Sequence, residues 1–327
     1  MKNKYWIAFS SIEQIDSRFI QRLFNYFGNI ESAFNADLND LKNIDGLSVK
    51  KAENFLKHRD KVDIDRTFTA VETRGINFLT LEDENYPQML KNIENSPAVL
   101  YYKGKLFECN LKKTLAVVGS RKASTHARDN LKRIGVIASG FDYVYPTSNK
   151  TLYQNIENGY GAVVTEYYPT FEPMKFRFPQ RNRIVSGLSF GTLVAEASLK
   201  SGALITANLT LEQGRELMCI PGEISNPNTQ GIYKLLKNGA TIVTESNDIL
   251  NALNWEIKKE IPQQQLTLPM LTPDEERIYN NIQVEEKGID ELLTLTGLKL
   301  DDLLMNLTTM ELKGIIKQYN GDRYKKV

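Results

Sequence analysis

Nine consecutive residues, Lys175-Phe176-Arg177-Phe178-Pro179-Gln180-Arg181-Asn182-Arg183, carry four cations and two phenylalanines, and no Asp or Glu occurs between Glu172 and Glu196. Guanidinium groups take phosphate at two points, and aromatic faces accept a stacked base. Cations interleaved with Phe therefore point to single-stranded nucleic acid or a nucleotide. The competing reading is a solvated basic loop whose phenylalanines belong to the core. A second constellation is Val117-Val118-Gly119-Ser120-Arg121-Lys122-Ala123-Ser124. Here a strand ends, Gly119 and Ser120 make a tight turn, and a helix begins near Ser124. Backbone N–H groups and a helix N-terminus then meet at one point, which suits an anion, and Arg121 and Lys122 add charge. The spacing is neither G-x-G-x-x-G nor G-K-S/T, so neither a dinucleotide fingerprint nor a Walker loop is present. A third is Lys200-Ser201-Gly202, where Ser201 and Gly202 open a helix at a strand's end. That is either a second anion site or a plain Ser cap beside a close-packed Gly.

Nothing is arranged as a catalytic triad. The histidines are His58 and His126 alone, and the cysteines, Cys109 and Cys219, lie far apart with no ligand spacing. No catalytic residue, metal or cofactor is assigned, and disulfide dependence is not expected. Glu166 and Glu196 end strands, where a carboxylate can act as a base, a cap or an ion-pair partner. With 41 basic and 40 acidic residues the net charge is +1, so no global field draws the chain to polyanions. Affinity for nucleic acid must come from a patch.

These residues need elements to hold them. From Leu115 onward short apolar runs recur, at Leu115–Val118, Ile134–Ile137, Ala162–Val164, Leu193–Ala195, Leu217–Ile220 and Thr241–Val243. Helical patterns lie between most of them. That alternation predicts a parallel sheet covered on both faces, with ligands taken outside the carboxyl ends of its strands. Pro179 should break any preceding helix, so a helix is expected from Gln180 to Leu188, with Arg181 and Arg183 near the Gly119 loop.

Residues 1–75 read as a helical domain, with Phe19, Ile20, Leu23, Phe24 and Phe27 on one face. Within it, Leu41 to Ser48 separates two helical patterns in the layout of a helix-hairpin-helix. Ser48 stands where that motif wants its second Gly, which favours a structural hairpin. Residues 76–260 form the α/β core, including a connector with strands at Asn77–Leu81 and Ala98–Tyr102. Residues 261–271 are a linker. Residues 272–327 read as a winged helix: a capped helix from Thr272, a helix-turn-helix around Gly297, and a hairpin at Asn320-Gly321. Its second helix carries Asp301, Asp302 and Glu311, which suits a DNA groove poorly and favours protein contact. Met1 to Trp6 lacks the apolar run of a signal peptide, and no stretch reaches the roughly 18 apolar residues of a membrane span. The cytoplasm is the expected compartment, without membrane attachment.

In order and spacing, Gly119-Ser120-Arg121, Phe178-Pro179-Gln180-Arg181-Asn182-Arg183-Ile184-Val185-Ser186-Gly187-Leu188-Ser189, Glu196-Ala197, Ser201 to Ala207, Gly214-Arg215-Glu216, Pro221-Gly222 and Asn238-Gly239-Ala240 resemble the DNA-processing protein A (DprA/Smf) family. The resemblance implies a Rossmann-like parallel-sheet core with an N-terminal helical domain and a C-terminal winged helix. It implies a non-enzymatic homodimer that binds single-stranded DNA, protects incoming strands in natural transformation and loads the RecA recombinase. By motif, Gly119, Ser120, Arg121 and Lys122 would form one wall of a positive pocket. Lys175, Arg177, Arg181 and Arg183 would line the other, with Phe178 near a base, Asn182 orienting the loop, and Ser201 and Gly202 adjacent. One departure stands out: the family has a further strand and helix where Arg128 here runs directly into Ile134. Two other readings remain. A phosphoribohydrolase-like enzyme would use Glu196, although the leading Pro-Gly-Gly of that motif is missing. A scaffold without DNA affinity would carry the basic block as surface.

Overall fold

The computed structural model describes residues 4–109, 111–119, 134–159, 161–255, 271–282, 286–319 and 322–326. Contacts divide the chain into two compact units, 1–256 and 257–327.

The first unit begins with six helices: α1 (Lys4–Ser10), α2 (Ser17–Phe27), α3 (Ile30–Asn35), α4 (Leu38–Lys42), α5 (Val49–Arg59) and α6 (Ile64–Glu72). Their starts are written locally. Asp16, Asn29, Asp37, Ser48 and Asp63 each precede a helix and accept a hydrogen bond from a first-turn N–H. Ser48 is thus the cap of α5, in keeping with a structural hairpin. Phe9 stacks on Phe55 at 5.3 Å and meets Phe34 edge-on at 5.0 Å. Burial of each such ring contributes about 1.5–3 kcal/mol. The helices do not close a core alone. Their apolar cluster continues into Phe78, Val99, Tyr101 and Tyr168, so residue 75 is no break in packing.

The strands of this unit are β1 (Asn77–Thr80), β2 (Val99–Gly104), β3 (Leu115–Val118), β4 (Ile134–Val136), β5 (Ala162–Thr165), β6 (Gly191–Val194), β7 (Glu216–Cys219) and β8 (Thr241–Ile242). The helices among them are α7 (Gln88–Lys91), α8 (Lys150–Asn158), α9 (Arg177–Gly187), α10 (Gly202–Glu212), α11 (Gln230–Lys237) and α12 (Ser246–Ala252). The expected strands are all found, and the chain is a mixed α/β protein with parallel pairing. The expectation of one sheet needs correction, because the described strands form two sheets of four. One runs β3-β6-β7-β8 and is wholly parallel. The other runs β1-β2-β5-β4, with β2 antiparallel to both neighbours and β4 parallel to β5. Its antiparallel part arises because β1 and β2 in the connector pair with each other and then with β5. Consecutive strands β3 and β4 end on the edges of different sheets.

Helix α9 starts earlier than expected. Pro179 lies in its first turn, where a missing N–H costs nothing, so the helix opens at Arg177. It packs across α10, whose preceding loop caps with Ser201. Cys109 and Cys219 are buried and unbridged. Among the described residues no helix is long and apolar enough to cross a membrane.

The second unit holds α13 (Pro273–Asn281), β9 (Lys287–Gly288), α14 (Ile289–Thr296), α15 (Leu300–Leu312), β10 (Ile316–Tyr319) and β11 (Arg323–Lys326). Its sheet order is β10-β11-β9, and Ile278, Leu292, Leu303, Leu307 and Met310 fill its core. Thr272 and Glu275 make the capping box that their spacing predicts. This is the expected winged helix.

Candidate nucleic-acid interface

The basic block occupies the start of α9, and the helix sorts its cations into two classes. Arg177 points inward and is 2% exposed. Its guanidinium meets the Glu13 carboxylate at 2.5 Å and donates to the Glu172 carbonyl. The faces of Tyr167, Phe171 and Phe176 surround it at 4.9, 5.0 and 5.6 Å. Arg183 is also buried and forms a two-point pair with Glu166, at 2.8 and 2.6 Å. Burial pulls the Arg183 pKa down, but the Glu166 charge and hydrogen bonds outweigh it and leave the group above its ordinary value. Both arginines are structural ties. The expectation that they line an open positive pocket does not match this placement, because each charge is spent on a carboxylate and hidden from solvent.

Lys175 and Arg181 are different. Lys175 is exposed and has no acid partner among the described residues. Arg181 donates from Nη1 to the Val136 carbonyl, at the carboxyl end of β4, and from Nε to Asn182 Oδ1 at 3.3 Å. No carboxylate pairs with it among the described residues. Burial lowers its pKa, with Tyr153 and Tyr167 working in the other direction. A guanidinium that is desolvated and lacks a counter-charge is primed for an anion from outside. Asn182 reaches from α9 to the Gly202 carbonyl, Nδ2 to O at 3.5 Å, and so joins the block to the start of α10. Ser201 Oγ accepts from the Ala203 N–H at 3.1 Å, so this hydroxyl is a helix cap.

The aromatic groups also trade places. Phe178 is half-buried and packs edge-on against Tyr145, with ring centroids 5.5 Å apart. Phe176 is 54% exposed, and Tyr145 is 47% exposed. The family motif points to Phe178, whereas Phe176 and Tyr145 are the more exposed rings. The helix start at Arg177 is the signal that would have put Phe176 outside. Gly119 is exposed, and a Cβ there would sit 3.5 Å from both Ala195 Cβ and Glu196 N. It therefore lies beside the end of β6. The contacts of Arg181 and Arg183 run to Val136 and Glu166, at the ends of β4 and at β5's exit. Ser120, Arg121 and Lys122 fall outside the described residues. No group of three or more His, Cys, Asp or Glu able to hold a metal ion occurs among the described residues.

The model of the DNA recombination-mediator protein A family matches residues 77–134 and 127–254, and the DprA winged-helix model matches 262–322. The chain belongs to the DNA recombination-mediator protein A family. Protein Smf of Escherichia coli is 30% identical over 84% of each chain. Protein Smf of Synechocystis is 26% identical, with 98% of each chain covered. The structure of DNA processing protein A from Streptococcus pneumoniae superposes with a TM-score of 0.64 at 29% identity, covering 76% of this chain and 97% of that one. The two stretches matched by the core model of the mediator family overlap at 127–134. The Synechocystis alignment runs over 391 positions against 327 residues here, so it opens gaps in this chain. The mediator relative carries segments that this chain does not.

Proposed function

We propose that this chain binds single-stranded DNA without sequence preference along the start of α9. Arg181 and Lys175 contact phosphates there, and Phe176 offers a ring to a base. The observation that carries this reading is Arg181 at the end of β4, which has no acid partner among the described residues, two residues from an arginine whose charge is paired with Glu166. Membership of the mediator family supports it. In the same proposal Gly119, Ser120, Arg121 and Lys122 also contact the strand, and Asn182 ties α9 to the start of α10 beside Ser201 and Gly202. In this proposal the protein is not an enzyme. It acts as a cytoplasmic homodimer that protects incoming strands and loads RecA recombinase, with α15 of the winged helix making protein contacts.

Filter binding of an oligo-dT across salt concentration tests the reading. Affinity should fall steeply as salt rises, with a slope of about −0.7 per phosphate neutralised on a single strand. Binding that is absent at low salt, or insensitive to salt, contradicts it.

A further inference from the structure

A cleft of about 290 Å3 lies where the α1–α2 loop and α5 face the start of α9. Neither Lys175 nor Arg181 lines it. Its charges cancel. Arg177 is paired with Glu13 and Arg183 with Glu166, while Asp16 caps α2, which leaves Lys51 as the one cation without a partner among the described lining residues. A phosphate would find little to hold it.

What the cleft offers is amides and rings. Gln14, Asn54 and Asn95 line it, and their carboxamides make no hydrogen bond among the described residues. Asn95 Oδ1 is fully buried without a partner. Gln180 contributes a fourth amide, whose Oε1 accepts weakly from the Tyr167 hydroxyl at 3.4 Å. Tyr167 and Phe171 line it with a face each on Arg177, and Phe176, half in solvent at the mouth, keeps aromatic surface open. Carboxamides present a donor and an acceptor side by side and match the adjacent N–H and C=O of a base edge. Aromatic rings stack on such a base regardless of its charge. The volume is at the small end for ligand sites, of the size for one nucleoside and not a dinucleotide.

We infer that this cleft is a nucleobase site: it takes one neutral base with adjacent N–H and C=O groups, turned in past Phe176 from a strand held by Lys175 and Arg181. This rests on the single-strand reading above. The same chemistry could come from a free nucleoside, and the test separates the two sources.

Three probes are titrated into the full chain: an oligo-dT of about twelve nucleotides, an abasic strand of equal length, and free thymidine. Each is repeated on a Gln14→Leu, Asn54→Leu double variant, with the thermal transition as the check on folding. If the double variant loses that transition, Gln14→Leu alone, at an exposed position, takes its place. The wild-type chain should prefer oligo-dT over the abasic strand by about tenfold, the scale of one stacked base. The variant should lose most of that preference while binding the abasic strand as before. An undiminished preference in the variant overturns the cleft as a base site. If neither strand binds the wild type, the single-strand reading falls. The cleft then survives as a free-nucleoside site only if thymidine saturates the wild type and not the variant, and falls otherwise.

Discussion

The Glu166 carboxylate holds the Arg183 guanidinium at two points, Oε1 to Nη1 at 2.8 Å and Oε2 to Nη2 at 2.6 Å, with both side chains about nine-tenths buried. The Ser17 hydroxyl also donates to Glu166 Oε2 at 3.2 Å, so the pair ties α9 to the helical segment. Glu166→Gln would leave a buried guanidinium without its counter-charge. The expected cost is about 3 kcal/mol of stability, measured by urea unfolding. Oligo-dT affinity per folded molecule should hardly change, because Arg183 faces inward.

Arg181 predicts the opposite pattern. Its charge is desolvated and has no carboxylate partner among the described residues, so an apolar side chain of similar length removes a burden. Arg181→Met should leave the melting temperature unchanged or raise it, and should weaken oligo-dT binding at low salt about tenfold. Differential scanning fluorimetry and anisotropy titration on the same preparation give both answers.

The two phenylalanines of the block should separate as well. Phe176→Ala removes a 54%-exposed ring and should cost about 1–3 kcal/mol of oligo-dT affinity with little loss of stability. Phe178→Ala removes the edge-on partner of Tyr145 and should lower stability more than it lowers intrinsic affinity. Binding isotherms corrected for the folded fraction distinguish them.

In the winged helix Glu275 is 1% exposed and accepts from Lys313 Nζ at 2.7 and 2.8 Å, besides closing the Thr272 capping box. Burial raises its pKa, but Lys313 and the Thr272 N–H bring the balance below the ordinary carboxyl value of 4.5. A lowered native pKa means that the carboxylate's contribution is complete above about pH 4.5 and fades as pH falls through the native value. The protection of α13 amides relative to their intrinsic exchange rates should therefore fall below that pH in the wild type. Glu275→Gln should show reduced protection already at neutral pH.

Much of this was legible from local signals. The apolar runs marked every strand from β3 to β8, and the helical spacing of Phe19, Ile20, Leu23, Phe24 and Phe27 marked α2. The capping box of α13 was spelled by Thr272 and Glu275. What the sequence hid was non-local. The partners that neutralise Arg177 and Arg183 lie 164 and 17 residues away, so a basic block read as one positive surface is half interior. Strand pairing is likewise decided by distant neighbours: β5 takes β2 and β4, and β3 takes β6, which no single apolar run announces. Pro179 sits inside the first turn of α9, so its helix-breaking tendency does not mark where the helix starts.

The most direct test of the account is the salt dependence of oligo-dT binding by the wild type and a Lys175→Met, Arg181→Met double variant. Two phosphate contacts removed from a single strand should flatten the slope of log K against log salt by about 1.4 and weaken binding at every salt concentration. An unchanged slope and affinity in a folded double variant would contradict the assignment of α9 as the DNA-binding face.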